Sequence, residues 1–342
     1  MKIISKTFKL LTVFLLVLGV TGCSDDDDNN GGGVQSTTVV DVALANGLTS
    51  LAAALQATDL VTTLQGTGPF TVFAPDNAAF DDLLMATGLD LDNLTADQET
   101  LVRNILLNHV IIGNSIPAQA LIDGGSGYES TASPGPVTNT TLSLYYNVVA
   151  GTVEINGGSD VTGGADVTTP DLTATNGTVH IIDAVIALPT IATFATTNGA
   201  LSTLVDALAF ADTGTPTVQP SYIDVVSDGD AGPFTVFAPT NTAFGDVLTE
   251  LSLSGFGEGA GELNAATTDA VLLMHIVNAN VQSSGLPNGA VMTLGGEITA
   301  DNTAFTLTDG LDREIGIITT LVDIQATNGV VHVVDTVIRP GN

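Results

Sequence analysis

Tryptophan is absent from this chain, cysteine occurs once, at Cys23, and lysine and arginine together supply only six of 342 residues. Each scarcity closes off a class of function. A lone cysteine forms no intrachain disulfide and builds no CxxC zinc or redox centre, so any folded domain must be held by packing. The lysines are Lys2, Lys6 and Lys9, and beyond them the only cations are Arg103, Arg313 and Arg339, set against 37 aspartates and glutamates. A polyanion of this kind is repelled by nucleic acid and by anionic lipid headgroups, which excludes both as partners. With no tryptophan and four tyrosines (Tyr128, Tyr145, Tyr146 and Tyr222), little is available to stack on a sugar ring. What is plentiful is Val, Leu, Ile and Ala, the makings of an aliphatic core.

Against that background one stretch stands out because it occurs twice. GPFTVFAP runs from Gly68 to Pro75 and again, unchanged, from Gly232 to Pro239, followed by Asp76-Asn77-Ala78-Ala79-Phe80 and Thr240-Asn241-Thr242-Ala243-Phe244. A second pair closes each copy: Ala174-Thr175-Asn176-Gly177 leads to His180, and Ala326-Thr327-Asn328-Gly329 leads to His332. A weaker pair lies between them, Leu106-Leu107-Asn108-His109 and Leu272-Leu273-Met274-His275. The order is the same in both halves, so one module is used twice.

These segments resemble the signature segments and central histidine of the fasciclin (FAS1) family. The resemblance runs from about Thr37 to Pro340 and implies an α+β fold: two tandem FAS1-like modules, each a β-sandwich-like wedge flanked by short helices. Many family members place tyrosine directly before the central histidine; here those positions are Asn108 and Met274. The resemblance also implies adhesion. In animal members an Asp-Ile pair just ahead of the A-T-N-G segment is implicated in receptor adhesion. The matching residues are Asp323-Ile324 in the second module and Asp171-Leu172 in the first. A structural reading stands beside it, in which both pairs lead into a hairpin with the aliphatic packed inward.

The N-terminus reads as targeting. Three lysines precede an apolar run over 10–20, too short to span a bilayer, which ends Val20-Thr21-Gly22-Cys23. This looks like a bacterial lipobox, so residues 1–22 are expected to be a lipoprotein signal peptide and Cys23 the lipidated residue. Several acyl chains on one residue make a stable anchor, which puts a membrane among the partners. Residues 23–36, acidic and then glycine-rich, cannot bury apolar surface and are expected to be a tether. Serine and acids directly after the cysteine resemble a surface-export signal, so the expected location is an outer membrane, facing outward.

Module one then occupies 37–189 and module two 190–342. In each, spaced aliphatics predict short amphipathic helices ahead of GPF. Phe70, Val72 and Phe73 predict a strand, and Asp76-Asn77 and Thr240-Asn241 are placed to cap the helix that follows. Thr95-Ala96-Asp97-Gln98 reads as a capping box opening a helix to His109, with a counterpart starting about Thr267. Asn156-Gly157 and Asp309-Gly310 suggest hairpin turns. The closing Val/His/Val/Asp pattern suits a half-buried strand. Extra length in module one falls around 128–138 and 157–165, and residues 189–197 are read as a short linker.

Chemistry concentrates at His109, His180, His275 and His332. Two metal sites of two histidines plus Asp183 or Asp335 are conceivable, but no HxH or HExxH spacing supports them, and core histidines bonded to backbone or to each other are the better reading. GPFTVFAP lacks the lysine and glycine density of a phosphate loop. There is no G-x-S-x-G, and a carboxylate pair picked from so many means little. The expectation is therefore no enzyme, no metal and no cofactor, apart from weak calcium binding by the polyanionic surface. The predicted function is lipid-anchored adhesion to surface proteins or polysaccharide. The alternative is a small-ligand or glycan-binding envelope lipoprotein serving uptake.

Overall fold

The computed structural model describes residues 37–214 and 221–341; Cys23 and the signal and tether segments expected at 1–36 lie outside the described residues. Module one opens with three helices, α1 (Val39–Ala45), α2 (Thr49–Ala57) and α3 (Val61–Leu64). Then come strand β1 (Phe70–Pro75) and helices α4 (Asn77–Thr87) and α5 (Ala96–Asn108). The remainder is β2 (Val110–Ile112), α6 (Ala118–Gly124), β3 (Ser126–Pro134), β4 (Thr141–Val149), β5 (Thr152–Ile155), β6 (Ala165–Ala174) and β7 (Gly177–Ile182). Its seven strands form one sheet in the order β2-β1-β7-β6-β5-β4-β3, with β1 parallel to β7.

Module two repeats the plan. Helices α7 (Ile191–Thr197), α8 (Ser202–Ala211) and α9 (Tyr222–Ser227) lead to β8 (Phe234–Pro239), α10 (Asn241–Glu250), α11 (Ala265–Leu273) and β9 (Ile276–Val277). After a turn of 3-10 helix at Ser283–Gly285 come β10 (Gly289–Met292), β11 (Glu297–Asp301), β12 (Thr306–Thr308), β13 (Glu314–Gly316), β14 (Ile324–Ala326) and β15 (Gly329–Val334). The long bent strand β6 has no unbroken counterpart here. The chain leaves the ladder between β13 and β14, and the sheet divides into β10-β11-β12-β13 and β14-β15-β8-β9.

The duplicated octapeptide is apolar at nearly every position because β1 and β8 serve two cores at once. Alternate side chains of a strand point to opposite faces. Phe70, Val72 and Ala74 pack against α1, α2 and α5, whereas Phe73 packs with Ile155, Ala165 and Ile182 inside the curved sheet. Module two divides in the same way between Val236 and Ala238 on the helical side and Phe237 on the other. A strand covered on both faces reads as a continuous apolar run rather than an alternating one. The closing strand of module two shares this fate: β15 is buried from Gly329 to Val334, where a half-buried strand was expected, because it lies beside β8 under both cores, whereas β7 of module one is half-buried as expected.

Four other expectations change. Residues 189–197 are no linker: Thr190 caps α7 in a capping box, and Ile191, Phe194 and Ala195 are buried, so α7 is module two's counterpart of α1. The tight two-residue turn falls at Ala150-Gly151, both with positive φ, between β4 and β5; Asn156-Gly157 instead opens a longer connection to β6. Asp76 and Thr240 are the caps of α4 and α10, but Asn77 and Asn241 reach elsewhere. Helix α11 begins at Ala265, capped by Asn264, rather than near Thr267. Asp309-Gly310 does lie in the connection between β12 and β13.

The two modules fall in one compact unit. The β3–β4 hairpin of module one meets α7 and β14 of module two. Tyr128 stands edge-on to Phe194 with ring centroids 5.5 Å apart, and its hydroxyl accepts from Asn198 Nδ2 at 3.0 Å. The amide of Gln325 donates to Ser143 Oγ at 3.0 Å, and Tyr145 joins Phe194 and Ile324 in a single apolar cluster. Part of module one's extra length, the hairpin around 128–138, thus supplies the contact with module two.

Candidate functional site

Each closing motif wires the sheet to the loops around it. Asn176 accepts the amide of Val39 at 2.9 Å, and its Nδ2 donates to the carbonyls of Leu64 and Gly66 at 2.9 and 2.8 Å. Asn328 does the same for the amide of Ile191 and the carbonyls of Val226 and Asp228. The glycine after each has no substitute. A Cβ on Gly177 would collide with the carbonyl oxygen of Phe70, and one on Gly329 with that of Phe234, because the parallel strands meet there.

The threonine of GPFTVFAP is a second tie. Thr71, fully buried, donates to the carbonyl of Asn114 at 2.9 Å and accepts the amide of Ile116 at 2.8 Å. This holds the Ile116 carbonyl where His180 Nε2 donates to it, also at 2.9 Å. On the other side of the ring, His180 Nδ1 accepts the amide of Asp171 at 3.2 Å. Module two reproduces every link: Thr235 to Ala279 and Val281, then Val281 to His332, then His332 to the amide of Asp323.

The central histidines form a different pair of ties with the opposite tautomer. His109 Nδ1 donates to the carbonyl of Ile105 at 2.7 Å, while Nε2 accepts the amide of Ile186. His275 sits likewise between Val271 and Ile338. A backbone N–H can only donate, which settles which nitrogen carries the proton in all four rings. Burial holds His109 and His275 down at about 4, against the raising pull of their carbonyl partners. His180 and His332 are lowered by burial as well, with a carbonyl and the nearby aspartate pulling the other way. Both nitrogens of every ring are thus engaged by backbone, which leaves none for a metal. Among the described residues no group of three or more His, Cys, Asp or Glu is placed to hold one.

Where tyrosine precedes the histidine in many relatives, the two modules diverge. Asn108 is buried and donates to the carbonyl of Ala187, whereas Met274 packs into the sheet-side core. The Asp-aliphatic pairs Asp171-Leu172 and Asp323-Ile324 lie where the bulged edge meets the histidines. Asp171 and Asp323 both have left-handed backbone, with φ of 62° and 56°. Asp171 caps α6 by accepting the amide of Ala118, and Asp323 accepts both the amide and the hydroxyl of Ser283. Their side chains remain 46% and 36% exposed, so each carboxylate shows one edge to solvent. Ile324 is buried against module one and Leu172 is partly buried against its own core. The tyrosines form no sugar cleft: Tyr128 and Tyr145 sit between the modules, and buried Tyr222 donates its hydroxyl to Asp269.

The described fold is therefore a tandem pair of α+β wedges whose signature residues are consumed in holding each wedge shut. The chain belongs to the fasciclin family: the Fasciclin domain model matches residues 46–189 and 199–340. Protein sll1483 of Synechocystis is 36% identical over 156 residues, covering 45% of this chain and 76% of that protein. The cell surface glycolipoprotein MPB83 of Mycobacterium bovis is 50% identical over 66 residues, 19% of this chain and 27% of its own length. A solved FAS1 domain pair from the insect cell adhesion molecule Fasciclin I covers 86% of this chain and 94% of its own at 17% identity, with a TM-score of 0.43. Fasciclin domains thus occur in cell-surface proteins.

Proposed function

We propose that this chain is a lipid-anchored adhesion or interaction protein of the cell surface, not an enzyme. One observation carries the reading. Thr71 and Thr235, Asn176 and Asn328, and the four histidines of the duplicated motifs are spent on backbone groups, so these residues build a scaffold and leave recognition to the outer surface. That surface is anionic, because the three arginines of the described residues each bond to a carbonyl or a carboxylate of the chain itself. Anchoring through Cys23, export to the outer face of an outer membrane, and surface proteins or polysaccharide as partners belong to this proposal. Weak calcium binding would bridge the acidic face to acidic polysaccharide. A small-ligand or glycan-binding role in uptake is the alternative, and the placement of the tyrosines does not favour a glycan.

The experiment is surface labelling of intact cells expressing the full chain, with Cys23→Ala as control, read alongside a cell–cell aggregation assay. Exposure and aggregation that both require Cys23 uphold the proposal. Periplasmic location, or aggregation unchanged by deletion, overturns it. Calorimetric titration with calcium tests the bridge separately; no heat at millimolar calcium removes it.

A further inference from the structure

Module two contains a cavity of about 190 Å³ between α10, α11, the connection joining them and the C-terminal segment 337–340. Phe244, Val247, Phe256, Val271 and Val337 give it apolar walls, and Arg339 enters its lining. Its origin is visible in the repeat. In module one the α4–α5 connection packs Leu89, Leu91 and Leu94 down onto the core. The corresponding connection of module two, 251–264, carries the glycine-rich insert Gly255-Phe256-Gly257-Glu258-Gly259-Ala260-Gly261, and its Leu251, Phe256 and Leu263 line the cavity without filling it. The position of Arg339 is Ala187 in module one.

Arg339 is held firmly. Its amide donates to Asp309 Oδ2 at 3.0 Å, and its Nη2 donates to Glu250 Oε1 at 2.7 Å. Its side chain is 12% exposed, and its Nε is buried with no hydrogen-bond partner among the described residues. A guanidinium has five N–H donors, and a buried donor left unpaired is costly enough to call for a reason. Glu250, 55% exposed, is free to turn into solvent if an anion takes its place.

We propose that this cavity binds a small apolar molecule bearing one acceptor group, a carboxylate or a ketone, to which Arg339 Nε donates. The volume exceeds the ~150 Å³ of an apolar cavity known to hold a benzene ring, so the ligand has about eight to ten non-hydrogen atoms. A sugar does not fit walls of this kind, which offer its hydroxyls almost no partners. The site is separate from the adhesion proposal, and neither depends on the other.

The test is amide NMR of the full chain titrated with octanoate and, in a second arm, with 2-octanone. The expected result is saturable shifts confined to α10, α11, their connection and the C-terminal segment, with module one as internal control. Arg339→Gln weakens binding about tenfold, the loss of one hydrogen bond to a charged group. Thr267→Trp, which fills the rim from an exposed position on α11, abolishes saturation. Saturation by octanoate alone assigns a carboxylate; saturation by the ketone alone assigns a neutral acceptor, with Glu250 keeping the guanidinium's charge. No saturation by either probe at millimolar concentration, shifts spread equally over both modules, or unchanged affinity in Arg339→Gln overturns the proposal.

Discussion

His109 Nε2 accepts the backbone amide of Ile186 at 2.9 Å, and His275 accepts that of Ile338 at the same distance. Neither bond survives protonation of the ring, because the acceptor nitrogen becomes a donor facing a donor. Burial lowers both histidines from the ordinary value near 6.5 to about 4. The unfolded chain therefore binds protons first as pH falls, and the stability these groups contribute is complete above 6.5 and drains away between 6.5 and 4. The expected slope is about 1.4 kcal/mol per pH unit per histidine. Urea unfolding at a series of pH values measures it. His109→Phe should cost about 2–4 kcal/mol at pH 7 and flatten the acid limb, since the amide of Ile186 and the carbonyl of Ile105 lose their partner. An unchanged slope contradicts the account.

Asn77 caps a helix it does not belong to. Its Oδ1 accepts the amide of Ser50 at 3.0 Å in the first turn of α2, and its Nδ2 donates to the carbonyl of Gly47. Asn241 repeats this for Thr203 in α8 and the carbonyl of Gly199. The residues in the N-cap position of these helices, Leu48 and Leu201, supply no side-chain cap of their own. Asn77→Ala and Asn241→Ala should each lower stability by about 1 kcal/mol, with hydrogen exchange quickening in the first turns of α2 and α8.

Tyr128 joins the modules through Phe194 and Asn198. Calorimetry of the wild type should show one transition, because the apolar cluster runs from Tyr145 into the core of module two. Tyr128→Ala, which removes about 2–4 kcal/mol of contact, should split it in two. Two transitions in the wild type refute the coupling.

The carboxylate of Asp171 has one structural partner, the amide of Ala118. Asp171→Ala should cost about 1 kcal/mol, while Asp171→Asn keeps an acceptor and tolerates the left-handed backbone. If the exposed edge of this carboxylate serves adhesion, Asp171→Asn reduces aggregation at unchanged thermal stability. Equal aggregation by both variants and wild type removes Asp171 from the binding surface.

Much of this architecture was legible. An octapeptide repeated without change announced the duplication, and Thr95 through Gln98 announced a capped helix. The misreadings share a cause. The Val/His/Val/Asp pattern looks half-exposed because histidine and aspartate are polar, yet His332 is buried with both ring nitrogens bonded to main chain. Residues 189–197 looked like a linker until Asn328, far along the chain, took the amide of Ile191.

The sequence by itself determined that one module occurs twice, that its core is aliphatic, and which residues recur in the motifs. Local pattern and composition suffice for that, since periodicity, caps and turns act over a few residues. Only the tertiary structure decided which tautomer each histidine holds, which helix each asparagine caps, how β14 meets β4, and that a glycine-rich connection leaves a cavity beside Arg339. The partners in those contacts are mostly backbone amides and carbonyls distant in the chain. Every residue carries such groups, so no side-chain pattern marks in advance which of them will be used.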